Sequence, residues 1–333
     1  MTATAVSVQP AAHSDVLPDT VRDRLPQVDL SALKTRIPAL AKDSAAMQAI
    51  EQAAQSVPTT HDLVLGDARN LDGIADASVH LVVTSPPYWT LKDYGDTEGQ
   101  LGAMNDYEEF LGELDHVWRD CQRVLVEGGR LIIVVGDVCL SRREHGRHMV
   151  VPLHASIQER CRVMGYENLN PILWHKIANA TLEVQNGGSF LGKPFEPNAV
   201  IKNDLEYILM QRKPKAYRTP SPAARLPSVI SAENHATWFR QIWDMPGAST
   251  KTHPAPYPAE LAERLIRMFS FVGDTVLDPF MGSGTTNVAA SRWGRNSVGY
   301  EISSDYVAMA GRRMQAEQGD MFRSVTVTVR DHG

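Results

Sequence analysis

Ser85-Pro86-Pro87-Tyr88, followed by Trp89, and Asp278-Pro279-Phe280-Met281-Gly282-Ser283-Gly284-Thr285-Thr286 are the two segments of this 333-residue chain whose residue types could do chemistry. Each closes a run of β-branched and aliphatic residues, Val79 to Val83 and Thr275 to Leu277, and so reads as a loop at the carboxyl end of a buried strand. Proline fixes φ and carries no N–H donor. A Pro-Pro pair therefore holds the Ser85 and Pro86 carbonyls in a stiff geometry, as acceptors beside the Tyr88 ring. Taken alone, that segment reads as a proline turn capping a strand, with an aromatic plugging the core.

The second segment is a glycine turn between a strand and a predicted helix at Thr285–Trp293, where the helix N-terminus offers free N–H groups. A lone Gly-x-Gly is common, but its flanks narrow it. No lysine follows Gly284, which disfavours a P-loop, and Thr285, Thr286 and Asn287 stand where a dinucleotide turn would continue to a third glycine. The next strand, Ser297–Tyr300, ends in Glu301, which can accept hydrogen bonds from both ribose hydroxyls of an adenosine moiety. S-adenosylmethionine has a ribose and an adenine but no phosphate, and the carboxylate of Asp278 suits its ammonium and sulfonium charges.

Together the segments resemble those of the amino-methylating DNA methyltransferases, in the permuted subgroup whose catalytic loop precedes its cofactor loop. The resemblance runs from about residue 61 to 315 and is specific over the nine positions from Asp278. It implies a methyltransferase-type α/β fold, S-adenosylmethionine as cofactor and double-stranded DNA as substrate. Ser85, Pro86, Pro87 and Tyr88 are then the catalytic loop. The Ser85 hydroxyl and the Pro86 carbonyl would bind the two hydrogens of a nucleobase amine and turn its lone pair toward the methyl group, a gain of orientation and preorganised electrostatics. Tyr88 would offer a face to a base swung out of the duplex, with Trp89 extending the wall. Asp67, Asp278, Pro279, Phe280, Gly282, Ser283, Gly284, Thr285, Glu301 and His253 are the expected cofactor residues. Serine at the first motif position, as at Ser85, more often accompanies cytosine N4 methylation, and aspartate or asparagine adenine N6. Cytosine C5 chemistry needs a cysteine after a proline, which this chain lacks. The remaining alternatives are methylation of RNA or of a protein amide, and a DNA-binding regulator without catalysis.

To position these loops, the chain must supply a sheet. Strands are predicted at Asp62–Leu65, His80–Val83, Arg130–Val135, Asn168–Trp174, Leu205–Gln211, Thr275–Leu277 and Ser297–Tyr300. Helices are predicted at Tyr107–Leu125, Val151–Met164, Pro258–Phe271, Thr285–Trp293 and Ser304–Glu317. The alternation predicts an α/β, doubly wound, mostly parallel sheet of the seven-stranded type. Residues 1–60 read as an extension, disordered at first and then helical. Residues 61–320 read as the methyltransferase domain, with a recognition insert at about 213–252 and a second recognition candidate at Gln185–Asn198, and residues 321–333 as a tail. A net charge of −6 does not advertise nucleic-acid binding, so DNA contacts need local basic groups. Arg142 and Arg143 form one candidate group, Arg212, Lys213, Lys215 and Arg218 a second, and Lys176 is a further candidate. The three cysteines, Cys121, Cys139 and Cys161, include no CxxC pair, so no metal site is expected and a reducing cytoplasm is. No apolar run is long enough for a membrane span. The resemblance allows a homodimer and a cognate restriction endonuclease as partners without requiring either.

Overall fold

The computed structural model describes residues 17–89, 99–140, 142–176, 197, 201, 203–248, 257–317 and 324–332. Its strands are β1 (Thr59–Leu65), β2 (Val79–Thr84), β3 (Leu125–Val135), β4 (Val138–Leu140), β5 (Met149–Val151), β6 (Glu167–His175), β7 (Leu205–Arg212), β8 (Ile242–Asp244), β9 (Thr275–Asp278), β10 (Asn296–Glu301) and β11 (Val325–Asp331). Nine of them form one sheet in the order β11-β1-β10-β9-β2-β3-β7-β6-β8, and β4 and β5 make a separate hairpin. Pairing is parallel from β11 across to β3, antiparallel at β3–β7 and β7–β6, and parallel again at β6–β8. Every strand and helix expected from the sequence is present, with ends shifted by a few residues.

Helices cover both faces, which is why the central strands lack alternation: all six residues of β2 are buried. On one face Val82, Leu131, Ile133 and Val135 pack with Phe110, Leu114 and Trp118 of the helix Tyr107–Val124. On the other, Leu81, Val83, Ile132 and Val134 pack with Leu261, Leu265 and Ile266 of the helix Ala259–Phe269. The helix Tyr107–Val124 starts where the Asp106 side chain accepts from Glu109 N at 2.8 Å, with Glu108 and Glu109 in its first turn, the favourable end of its dipole for acids.

The boundaries expected from the sequence change in three places. Residues beyond 320 are not simply a tail, because β11 adds to the sheet edge beside β1 and Arg330 pairs with Asp62 at 3.1 Å. The helical extension is docked on the domain: Met47, Ile50 and Ala54 are buried with Leu226, Val229, Val272 and Trp293. The described part of the expected insert, 213–248, is built into the core. Trp243 and Trp238 are buried there, Trp243 Nε1 donates to Trp238 O at 2.9 Å, and β8 extends the sheet at β6. Two buried indoles of this kind pack the fold and are not offered as a reading surface. Gln185–Asn198, apart from Pro197, lies outside the described residues. Among the described residues no helix is long and apolar enough to cross a membrane.

Candidate functional site

Strands far apart in sequence meet at the centre of the sheet. Leu81 and Val82 of β2 lie beside Val276 and Leu277 of β9, so the loops after these strands emerge next to each other. The carboxyl ends of β1 and β10 lie alongside, with Leu65 opposite Glu301. At this edge is an open cleft lined by Gly66, Asp67, Ala68, Ser85, Pro87, Gly99, Gln100, Leu101, Pro279, Phe280, Gly282, Glu301, Ile302 and Tyr306. The structure thus brings Ser85 and Pro87 of one segment together with Pro279, Phe280 and Gly282 of the other, and with Asp67 and Glu301.

Asp278 is not on the cleft wall, contrary to the expected contact with cofactor charge. It is 1% exposed and fully engaged: Oδ1 accepts from Thr84 Oγ1 at 2.7 Å and Phe280 N at 3.1 Å, and Oδ2 from Thr286 Oγ1 at 2.6 Å and Tyr257 OH at 3.1 Å. Burial raises its carboxyl above the usual range, opposed by these four donors. Asp278 therefore ties the end of the catalytic strand to the glycine turn. Ser283, Gly284 and Thr285 also stand back from the wall. Arg313 donates to Ser283 O at 2.7 Å, Ser283 Oγ at 2.8 Å and Thr285 Oγ1 at 3.2 Å. Gly284 has φ +79°, and a Cβ there would stand 2.9 Å from the Ala310 Cβ, so its glycine serves the turn and a close helix approach. Gly282, at φ +51°, is the glycine on the cleft.

Glu301 lines the cleft and also braces the turn, accepting from Gly282 N and Ser303 N, each at 2.9 Å. Burial raises its carboxyl above the ordinary range. Burial would also raise Asp67, but the Arg69 guanidinium and N–H outweigh it and hold that carboxyl low. Asp67 Oδ1 accepts from Arg69 N at 2.9 Å, so the side chain both closes its own turn and faces the cleft. Among the described residues, this lining holds two carboxylates and no lysine or arginine. The carboxylate oxygens offer acceptors to an ammonium or to hydroxyls, with Arg69 pairing Asp67, and Pro279, Phe280, Leu101 and Ile302 give the wall an apolar part for a flat ring. These residues fit S-adenosylmethionine: carboxylates for an ammonium and ribose hydroxyls, and apolar side chains for adenine. His253 lies outside the described residues, so its expected contact has no structural account.

On the catalytic side, Tyr88 is 6% exposed and does not present its ring to the cleft. Its hydroxyl lies 3.2 Å from Glu206 Oε2 and 3.3 Å from Val134 O, and receives the Ser85 hydroxyl at 3.3 Å. Glu206 also pairs with Lys176 Nζ, so Lys176 is held at the catalytic loop. A Cβ on Gly136 would lie 3.2 Å from Glu206 Cγ and 3.4 Å from a Tyr88 ring carbon, tight contacts that this glycine avoids. Trp89 has φ +47° and packs edge-on against Tyr107 at 5.1 Å between ring centroids, which makes it part of the core margin.

The two basic groups separate. Arg142 and Arg143 are exposed on a short helix, Arg142–His145, in the β4–β5 connection just past the carboxyl end of β3. The other group lies at the opposite end of the sheet. Arg212 pairs with Arg130, five residues down β3 from Val135 and hence about 17 Å from the catalytic edge. Its members have internal partners: Arg212 with Glu167, Lys213 with Leu125 O, Lys215 with Glu127 and Arg218 with Asp274, which is 1% exposed. Lys213 and Arg218 bind groups of the fold, Lys215 makes a surface pair, and all four lie at the sheet end away from the cleft; charge spacing in the sequence carries no information about which sheet edge receives it.

Thr84, Tyr257 and Thr286 around Asp278, Arg313 behind the turn, and Glu206 behind Tyr88 are site residues that sequence reasoning missed. Of these, Thr286 carried a signal in the sequence, as the last residue of the segment Asp278–Thr286.

Similarity to known proteins agrees with this geometry. A family model described as DNA methylase matches residues 79–312. The type II methyltransferase M.MjaI of Methanocaldococcus jannaschii is 39% identical over 276 residues, covering 74% of this chain and 88% of its own. M.SmaI of Serratia marcescens, another type II methyltransferase, is 30% identical over 277 residues, covering 76% and 90%. Among solved structures, a candidate DNA modification methylase of Thermus thermophilus, complexed with S-adenosyl-L-methionine, superposes with a TM-score of 0.68 at 50% identity over 82% of this chain and 99% of that one. The cytosine-N4-specific PvuII DNA methyltransferase shares the fold at a TM-score of 0.57 and 18% identity, over 82% of this chain and 97% of its own.

Proposed function

The chain belongs to the N6/N4 DNA methylase family, as an S-adenosylmethionine-dependent DNA methyltransferase, and on that premise we propose that it methylates the exocyclic N4 amine of cytosine within a specific double-stranded DNA sequence. The observation that carries the proposal is Ser85 on the wall of the cleft, beside Pro279 and Gly282. Bound S-adenosylmethionine supplies an electrophilic methyl group on a sulfonium. The Ser85 hydroxyl and Pro86 carbonyl accept the two amine hydrogens and orient the nitrogen lone pair. Pro86 and Pro87 lack N–H groups that would compete for those acceptors. The Tyr88 hydroxyl holds the loop from behind. Glu301 accepts from ribose hydroxyls, and Asp67 carries the negative charge that favours a cationic ligand. A base inside a duplex cannot reach this cleft, so the target swings out of the stack, and Arg142 and Arg143 engage phosphates near the opening.

Serine at position 85 favours cytosine; adenine N6 is the second reading, because the same pair of acceptors suits either amine. Nucleotide-resolved sequencing of DNA from a host expressing the chain, with mass spectrometry of the digested nucleosides, tests both. N4-methylcytosine in one recurring motif is the expected result. N6-methyladenine instead would overturn the base assignment, and unmodified DNA would overturn the activity.

A further inference from the structure

The hydrogen bonds behind the catalytic loop form a continuous line from the cleft to the surface. Ser85 lines the cleft, and its hydroxyl donates to the Tyr88 oxygen at 3.3 Å. Among the described residues the Tyr88 hydroxyl has Val134 O at 3.3 Å and Glu206 Oε2 at 3.2 Å as acceptors, and the carboxylate is the stronger. The other Glu206 oxygen pairs with Lys176 Nζ. The Glu206 side chain is 12% exposed and that of Lys176 is 37% exposed, so the line ends at solvent.

A chemical need matches this line. Once it has taken a methyl group, the amine nitrogen is cationic and must lose one proton, and Ser85 is the acceptor that faces it. A serine hydroxyl cannot keep that proton at neutral pH unless it passes its own proton on. On the reading that the chain methylates a nucleobase amine, we infer that Glu206 is the terminal proton acceptor of the reaction, reached through Ser85 and Tyr88 and held in place by Lys176. The N–H bond breaks with its electron pair left on nitrogen, and the proton goes to Ser85 Oγ. The Ser85 hydroxyl proton goes to the Tyr88 oxygen, and the phenolic proton to Glu206 Oε2. Both hydroxyls are regenerated, the amine is neutral, and Glu206 discharges its proton to water beside Lys176. Glu206 acts through other residues and touches no reacting atom, so it is a positioning and proton-accepting residue behind the catalytic loop.

Glu206→Gln removes proton uptake while its one amide oxygen can still accept from Tyr88, at the cost of the Lys176 pair. Lys176→Met, which loses that pair but keeps the carboxylate, serves as its control. Methylation by the parent is measured first, and an inactive parent would overturn both the functional reading and the relay. With an active parent, single-turnover methylation is followed by rapid quench across pH, beside calorimetry of S-adenosylmethionine binding and thermal unfolding. The expected result is parent-like binding and a rate lower by about 10²-fold. The pH dependence of the parent rate should flatten in the variant. Tyr88→Phe keeps the ring and the Glu206–Lys176 pair but cuts the line; its rate should fall similarly, and the double variant should be no slower than either. A 13Cζ-tyrosine resonance of Tyr88, read without DNA, should show a pH-dependent step in the parent and lose that step in Glu206→Gln. A parent-like rate and pH profile in Glu206→Gln overturns the relay. So does a parent-like rate in Tyr88→Phe, which decides the matter if the glutamine variant fails to fold. An unchanged Tyr88 titration would equally overturn it.

Discussion

The ends of β9 and β2 lie side by side and are secured in opposite ways. At the end of β9, the Asp278 carboxylate is 1% exposed and takes four donors at 2.6–3.1 Å. At the end of β2, the contacts of the Tyr88 hydroxyl among the described residues include ones of 3.2–3.3 Å to Ser85, Val134 and Glu206, and the last leads to a part-exposed lysine. A saturated buried carboxylate has one arrangement, because releasing any donor leaves polar groups unpaired in a dry interior. Long bonds between a phenol, a serine and a carboxylate yield at smaller cost. The cofactor turn is thus preformed, while the catalytic loop can adjust to a base and move a proton. Rigidity is placed where binding needs it and compliance where the substrate enters.

The largest expected effect comes from the rigid side. Asp278→Ala removes the carboxylate acceptor of Thr84 and the Phe280 N–H and one of the partners each of Thr286 and Tyr257, and should cost about 3 kcal/mol in denaturant unfolding. Calorimetry should show no S-adenosylmethionine binding even where the variant is folded. Parent-like stability would break the comparison, since the hub would then hold nothing. Tyr88→Ala comes next. It should abolish methylation yet leave the cofactor dissociation constant within about threefold of the parent, a change below 1 kcal/mol. Equal cofactor loss in the two variants would mean that the two ends are one mechanical unit.

The smallest effect separates the two cleft carboxylates. Glu301 is raised by burial, so it takes up a proton at a pH where an exposed glutamate is still charged; Asp67 is held low by Arg69, despite its burial, and stays charged there. A protonated Glu301 has lost acceptor capacity for a ribose hydroxyl. Cofactor affinity should therefore weaken as pH is lowered toward the acid range, before Asp67 titrates. Titration calorimetry across that window should show the decline in the parent and a flatter profile in Glu301→Gln. The same decline in both would assign it to another group.

The regular elements were legible because their signals are local. A buried parallel strand shows as an aliphatic run, as in β2, and a helix such as Ser304–Glu317 shows by its spacing. The missed strands are β8, three residues long, β11 at the other sheet edge, and the short β4–β5 pair, whose pairing is made by distant partners or a brief hairpin. The tryptophans of the expected insert showed that the segment is structured, but not that they face inward. Arg212, Lys213, Lys215 and Arg218 formed a basic group in the sequence, and the sheet carries it to the end away from the cleft.

The sequence by itself determined the chemistry: a proline-locked acceptor loop, a glycine turn without a phosphate-binding lysine, and Glu301 after the next strand. Those properties belong to residue types and short spacings, which no fold can alter. Only the tertiary structure decided the partnerships. Thr84 meets Asp278 across 194 positions and Tyr88 meets Glu206 across 118, because β2 pairs with β9 on one side and β3 lies between β2 and β7 on the other. Strand order and register set which side chains share the carboxyl edge. They decided that Asp278 is an internal hub, that Tyr88 is anchored from behind, and that Glu206 belongs to the site.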